Sequence, residues 1–255
     1  MDYRLSAACG CSVGRIRSNN EDNLYFNGFV LSESNHGLGA AIAAKSRSNE
    51  SPCFCVFDGM GGEEYGELAS FAAASSLKAQ RKAFHESVPI SGQFLGELCS
   101  AMNDAVCERS RELMSRRMGT TMALLLFSSD KVHVCNIGDS RIYLLRDGEI
   151  RQLSEDHVEV LPPGSRQRKP GLTQHLGIFR DELLLEPYIA EYGLQKNDVF
   201  LICSDGLTDM LSEREICDCV KRHISPRKMV DHLIRQANRN GGRDNTTAII
   251  IKVLK

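Results

Sequence analysis

Six acidic residues sit in short, turn-like stretches spread through the chain. They are Glu21 and Asp22 in RIRSNNED, Asp58 in VFDGMGG, Asp139 in NIGDSR, Asp205 in CSDGLTD and Asp244 in GGRDNTT. Asp58 and Asp205 directly follow apolar runs, Asp139 follows one after Asn136-Ile137-Gly138, and Asp244 stands just before one. Carboxylates at strand ends suit a hard cation. Mg²⁺ and Mn²⁺ take oxygen ligands in near-octahedral geometry, keep several waters, and neutralise like charges that would otherwise repel. A glycine carbonyl in Asp58-Gly59-Met60-Gly61-Gly62 can serve as a further oxygen, because glycine lets the backbone come close to an ion.

Arg17 stands four residues before Glu21, and its guanidinium can fork onto two oxygens of a phosphate in a way that Lys cannot. Asp205 and Asp209 lie one helical turn apart and would share a face as the chain leaves VFLICS. Each feature also has a bland reading: a surface charge cluster for RxxxED, a turn Asp bonding its own backbone elsewhere. Taken together, acids at separate strand ends with one forked cation suit a two-metal phosphohydrolase. In such a site two ions roughly 3.5–4 Å apart activate a shared water and steady the phosphoryl oxygens.

Competing chemistries find less support. The glycine-rich loop has Glu64 where a dinucleotide fingerprint needs its third Gly, and no GxxxxGK[ST] occurs. His157 in SEDHVEV is the best single acid/base candidate, and it is expected to orient its loop by hydrogen bonding instead. The ten cysteines include three C-x-C pairs, Cys9/Cys11, Cys53/Cys55 and Cys217/Cys219. That spacing is not the C-x₂-C of zinc knuckles, so buried structural thiols are expected. With no export signal, those thiols should be reduced and the protein cytoplasmic. Thirty-one basic against 33 acidic residues, net −2, leave no electrostatic footprint for nucleic acid. Apolar stretches such as Met122–Phe127 and Thr247–Ile251 fall far short of the ~20 residues that span a bilayer, so no membrane insertion is expected, and a monomer is.

The elements that must position the acids follow from periodicity. Short β-branched or aromatic runs suggest strands near 4–13, 22–31, 38–44, 52–57, 120–127, 131–137, 140–146, 182–192, 198–203 and 246–253. Asp147-Gly148 signals a hairpin turn. Apolar spacing over 63–84, 91–115 and 225–239 predicts helices, the last opening on Ser225-Pro226 as cap and first turn. Clustered helices argue against a doubly wound parallel fold and for an α+β fold, with antiparallel sheets covered by helix pairs. With no repeat or linker, residues 1–255 read as one domain, and 155–171 as an exposed loop. The stretch 27–51 shows no pattern that can be assigned.

The ordered series RIRSNNED, FDGMGG, MGTTMALLLF, NIGDSRIYLLRDG, LSEDH, LTQHLG, CSDGLTDML and GGRDNTTAIII resembles the metal-dependent type 2C serine/threonine protein phosphatases, in their bacterial single-domain form, from about Gly10 to Val253. The resemblance implies a four-layer αββα sandwich of two antiparallel sheets between helix pairs. It implies two Mn²⁺ or Mg²⁺ ions, with a weaker third position, and a metal-activated water that hydrolyses phosphoserine and phosphothreonine on proteins. Asp58 would bridge both ions, Asp205 and Asp244 would complete the first, and the Gly59 carbonyl would bind the second. Glu21 and Asp22 would act on the second directly or through water, and Asp139 with Asp205 would form the third position. Asp209 would hold a metal-bound water, Asn245 would support the ligands from behind Asp244, and Arg17 would bind the substrate phosphate. Met60 stands where eukaryotic members often carry a His, so leaving-group protonation would fall to a metal-bound water. The flap, at about 158–171, is shorter than usual. Phosphoproteins and an opposing serine/threonine kinase pathway are the implied partners; a phosphorylation-dependent binding module or a small-phosphoester phosphatase on the same fold are the alternatives.

Overall fold

Strand β5 (Cys53–Met60) alternates two sets of apolar side chains, and both sets find a core. Phe54 and Val56 pack with Leu24, Leu125, Phe200 and Ile251 between two sheets. Cys53, Cys55 and Phe57 pack with Leu77, Leu98 and Met102 beneath helices. A strand covered on both faces reads as an unbroken apolar run. Edge-to-face rings run through this core: Phe54 to Phe127 at 6.0 Å within one sheet, and Phe127 to Phe200 at 5.7 Å across to the other, between centroids.

The structure is a computed structural model that describes residues 2–60, 65–83, 90–115, 118–162, 169–222 and 225–254. The first sheet comprises β1 (Arg4–Ser12), β4 (Ile42–Arg47), β9 (Arg141–Arg146), β10 (Glu149–Gln152), β12 (Val199–Cys203) and β13 (Thr246–Leu254). Its spatial order is β10-β9-β12-β13-β1-β4. The second comprises β2 (Asp22–Phe26), β3 (Phe29–Val30), β5, β7 (Met122–Ser128), β8 (Lys131–Ile137) and β11 (Tyr188–Gly193). Its order is β11-β8-β7-β5-β2-β3, with the short β6 (Gly119–Thr120) paired to β5. Every pairing found is antiparallel. Helices α1 (Gly66–Ala83) and α2 (Gly92–Glu112) cover the second sheet. Helices α4 (Glu213–Lys221) and α5 (Pro226–Arg239), with the single turn α3 (Asp205–Thr208), cover the first. The layering is the expected αββα.

Several elements differ from the sequence reading. The run 22–31 is a hairpin turning at Asn27-Gly28, where both residues have positive φ. The strand expected at 38–44 lies at Ile42–Arg47, an edge strand paired to β1. Of 182–192, only Tyr188 onward is strand; the Gln174 side chain instead bonds the Leu184 carbonyl and the Glu186 N–H. Helix α4 was not foreseen, although Ser212 and Glu215 form a capping box at its start. The first residues of the helix expected at 63–84, and 163–168 of the flap, lie outside the described residues. All ten cysteines are free and buried, as expected of structural thiols. No helix among the described residues is long and apolar enough to cross a membrane.

Candidate metal centre

Asp22 and Asp58 are cross-strand partners on β2 and β5. They continue the alternation that sends Leu24 and Phe26, and Phe54 and Val56, between the sheets. The inter-sheet core therefore ends in two carboxylates. The first sheet meets them with hydroxyls: Thr247 Oγ1 donates to Asp22 Oδ2 at 2.7 Å and Ser204 Oγ donates to the same oxygen at 2.8 Å. Asp22 Oδ1 is buried with no hydrogen-bond partner. Burial pushes the Asp22 carboxyl up to about 7 despite these two donors, and neighbouring Asp244 and Glu21 add to the rise.

Asp58 is held by its backbone. Its N–H donates to Thr121 Oγ1 at 3.0 Å, and its carbonyl accepts from Thr121 N–H at 2.9 Å and Thr120 Oγ1 at 3.0 Å. Its carboxyl lies well above the usual carboxylate range, first through desolvation and then through Asp22, Asp139 and Asp244. Gly59 follows, and a Cβ there would stand 2.0 Å from the Gly66 carbonyl oxygen. Only glycine lets the start of α1 close against this strand end. Gly59 N–H donates to the Glu21 carbonyl at 3.1 Å, and Glu21 N–H donates to Asn245 Oδ1 at 2.8 Å. Asn245 Nδ2 donates in turn to the Val13 and Asn19 carbonyls. One buried amide thus clamps the loop that carries Arg17 and Glu21 onto the start of β13.

Beside these residues opens a cleft of about 890 Å³. Arg17, Glu21, Asp58, Gly59, Asp139, Asp205 and Asp244 all face it, while Asp22, Asn245 and Asp209 lie outside its lining. Asp139 follows Gly138, whose N–H donates to His157 Nδ1 at 3.1 Å and whose carbonyl accepts from His157 N–H. His157, expected to orient its own loop by hydrogen bonding, does so by tying that loop to the turn that carries Asp139. Burial depresses its pKa, and an Nδ1 that accepts a backbone proton is not free for proton transfer. Two carboxylates are engaged by basic side chains. Arg17 bonds Asp244 Oδ2 at 2.8 Å, and Lys169, at the base of the flap, contacts Asp205 and stands 3.9 Å from Asp209.

Among the described residues, no three His, Cys, Asp or Glu side chains stand at the spacing of one coordination sphere. The donor set still fits hard divalent cations: carboxylates and a close-lying backbone on one cleft wall, an orphaned buried carboxylate oxygen beneath, and acids whose pKa is raised by burial and by neighbouring carboxylates.

Residues 41–248 match the family model described as Protein phosphatase 2C. The chain belongs to the protein phosphatase 2C family. It is accordingly a metal-dependent protein serine/threonine phosphatase, and its substrates are phosphoproteins. The serine/threonine phosphatase stp of Listeria welshimeri is 32% identical over 253 residues, covering 94% of this phosphatase and 92% of the relative. Protein phosphatase PhpP of Streptococcus pneumoniae is 31% identical, covering 94% of each. Among solved structures, the catalytic domain of the serine/threonine protein phosphatase PstP, in complex with two manganese ions, matches with a TM-score of 0.75 at 28% identity over the whole of both chains. The S. agalactiae serine/threonine phosphatase matches at 0.78 and 25%, covering 97% of this chain and 98% of that one.

Sequence reasoning missed three contributors to this phosphatase's cleft. Ser204 and Thr247 read as ordinary strand-end residues, and only the facing of the sheets puts both hydroxyls on Asp22. Lys169 read as one basic residue of an exposed loop; no local signal marks it as reaching Asp205.

Proposed function

We propose that this phosphatase hydrolyses phosphoserine and phosphothreonine on proteins through divalent ions held by Asp58, Asp205 and Asp244, with Glu21, Asp22 and the Gly59 carbonyl acting on a second ion directly or through water. Asp139 with Asp205 provides a weaker third position, Asp209 holds a water, and Asn245 supports the set from behind. The observation that carries this reading is the pairing of Asp22 with Asp58 at the end of the inter-sheet core, beneath a cleft that Asp205 and Asp244 also line. Mn²⁺ or Mg²⁺, when bound, supplies a water ionised near neutral pH and positive charge for the phosphoryl oxygens.

The chain's own residues do the rest. Arg17 is charged at every working pH and offers paired N–H donors to the phosphate at the cleft mouth. Its bond to Asp244 keeps it over the cleft. Ser204 and Thr247 fix the Asp22 carboxylate from below, so one oxygen is occupied and the other is left for a cation or its water. Asn245 holds Glu21 in place through the backbone. We place the phosphatase in the cytoplasm, as a single-domain monomer acting against a serine/threonine kinase.

Phosphate release from phosphoserine and phosphothreonine peptides tests this reading. Release is expected with Mn²⁺ and with Mg²⁺ and should stop in EDTA. Equal release in EDTA, or none with either ion, overturns it.

A further inference from the structure

We propose that Arg15 and Arg243 form an anion-reading lip beside the cleft, which selects protein substrates with anionic side chains, carboxylate or a second phosphate, next to the phosphoresidue being hydrolysed. The proposal rests on the phosphatase reading above and adds a substrate class to it.

The two arginines sit on loops that are locked together. Gly14 has φ +83°, and a Cβ there would stand 2.5 Å from the Asp244 carbonyl oxygen and 2.8 Å from that of Gly242. The backbones therefore approach as closely as glycine allows. Arg15 N–H donates to the Gly242 carbonyl at 2.7 Å. The Arg15 stem also lies against Gly242, since a Cβ built there would be 2.9 Å from Arg15 Cγ. Asn245 clamps the same loop at Val13, Asn19 and Glu21. Arg15 is two residues from Arg17, and Arg243 is next to Asp244, and both of those neighbours line the cleft.

Charge decides what this frame can hold. Arg17 is bonded to Asp244, Arg141 to Asp156 and Arg146 to Asp198. Arg15 and Arg243 are exposed, and among the described residues no carboxylate pairs with either. Between Arg15 and Arg17, Ile16 is 72% exposed and offers apolar surface at the same lip. The cleft itself is lined by acids and the whole chain carries net −2. Positive charge at the lip adds to that of ions held in the cleft in drawing an acidic segment to this end of the molecule. Guanidinium forks match carboxylate and phosphate alike, and a rigid frame lowers the ordering cost of binding.

The test measures kcat/KM with Mn²⁺ present for three phosphothreonine peptides, flanked by Ala, by Asp and Glu, or by a second phosphoserine, alongside p-nitrophenyl phosphate. The unmodified phosphatase should prefer an anionic flank by about tenfold, and added salt should erode the preference. The Arg15→Ala/Arg243→Ala variant should treat all three peptides like the Ala-flanked one, with p-nitrophenyl phosphate turnover unchanged. Arg15→Glu/Arg243→Glu should disfavour the anionic flanks. Preference for only one of the two anionic peptides supports the lip and identifies which anion it reads. Indifference to flank charge in the unmodified protein, or a preference that survives the double Ala variant, overturns the proposal while leaving the phosphatase assignment intact. If no phosphopeptide is turned over at all, both fall.

Discussion

Thr247 reaches across from the first sheet and donates its hydroxyl to Asp22 of the second at 2.7 Å. This bond crosses between the sheets where the apolar core ends and the cleft begins. Thr247 shares its strand face with Ile249 and Ile251, so the same alternation that fills the core also supplies the donor.

Thr247→Val keeps the shape and removes that donor, leaving a buried carboxylate with Ser204 as its remaining side-chain donor. Stability should fall by about 1–3 kcal/mol, the cost of an unsatisfied buried group. Thr247→Ser should recover most of it. Urea unfolding of the two variants checks this; equal midpoints for Val and the parent would remove Asp22 from the structural account.

Asp58→Asn should abolish turnover of p-nitrophenyl phosphate, by at least a hundredfold, while leaving the fold intact. Burial, and after it repulsion from Asp22, Asp139 and Asp244, holds the Asp58 carboxyl well above its usual range, so a neutral amide there relieves the metal-free protein. In EDTA the variant should melt no lower than the parent, and added Mn²⁺ should no longer raise its melting temperature. Retained turnover would take Asp58 out of the metal set.

Arg17→Ala should chiefly raise KM, by about tenfold, with kcat nearly unchanged, if the guanidinium grips phosphate equally in ground and transition state. Steady-state kinetics decide the matter. An unaltered KM with weaker Mn²⁺ binding would mean that Arg17 acts by holding Asp244.

Three histidines contribute a pH dependence of known sign to stability, opposed over the same range by the raised carboxyls of Asp22 and Asp58, which the folded state protonates first. Burial depresses the pKa of His133, His157 and His175 in the folded state. Unfolded, each takes up a proton near pH 6.5. At these three sites the unfolded chain therefore binds more protons as pH falls, and their contribution to stability drops from about 6.5 downward through the folded values. Thermal melts at pH 7 and pH 5 isolate the histidine contribution by difference: on acidification His157→Gln should lose less stability, or gain more, than the parent. The same shift in parent and variant would contradict the buried neutral state of His157.

Much of the molecule was readable residue by residue. The inter-sheet strands, the helix at Pro226–Arg239 and the acids at strand ends all follow from period-2 and period-3.6 patterns and from turn residues. The helix at Glu213–Lys221 carries a local signal too, the capping box of Ser212 and Glu215. The edge strand Ile42–Arg47 was harder. Its apolar residues alternate weakly, and pairing with β1 fixes it more than its own propensity does.

Residue type and spacing along the chain determined that this protein carries hard oxygen donors at the ends of buried strands, and that those strands make two sheets with helices outside. Tertiary structure alone decided that Asp22 lies beneath the cleft and not on its wall, that Arg17 is bonded to Asp244, and that Lys169 touches Asp205. The reason is range. Alternation and capping act over a few residues, whereas these contacts join positions far apart in the chain and arise only when two sheets pack face to face in one register.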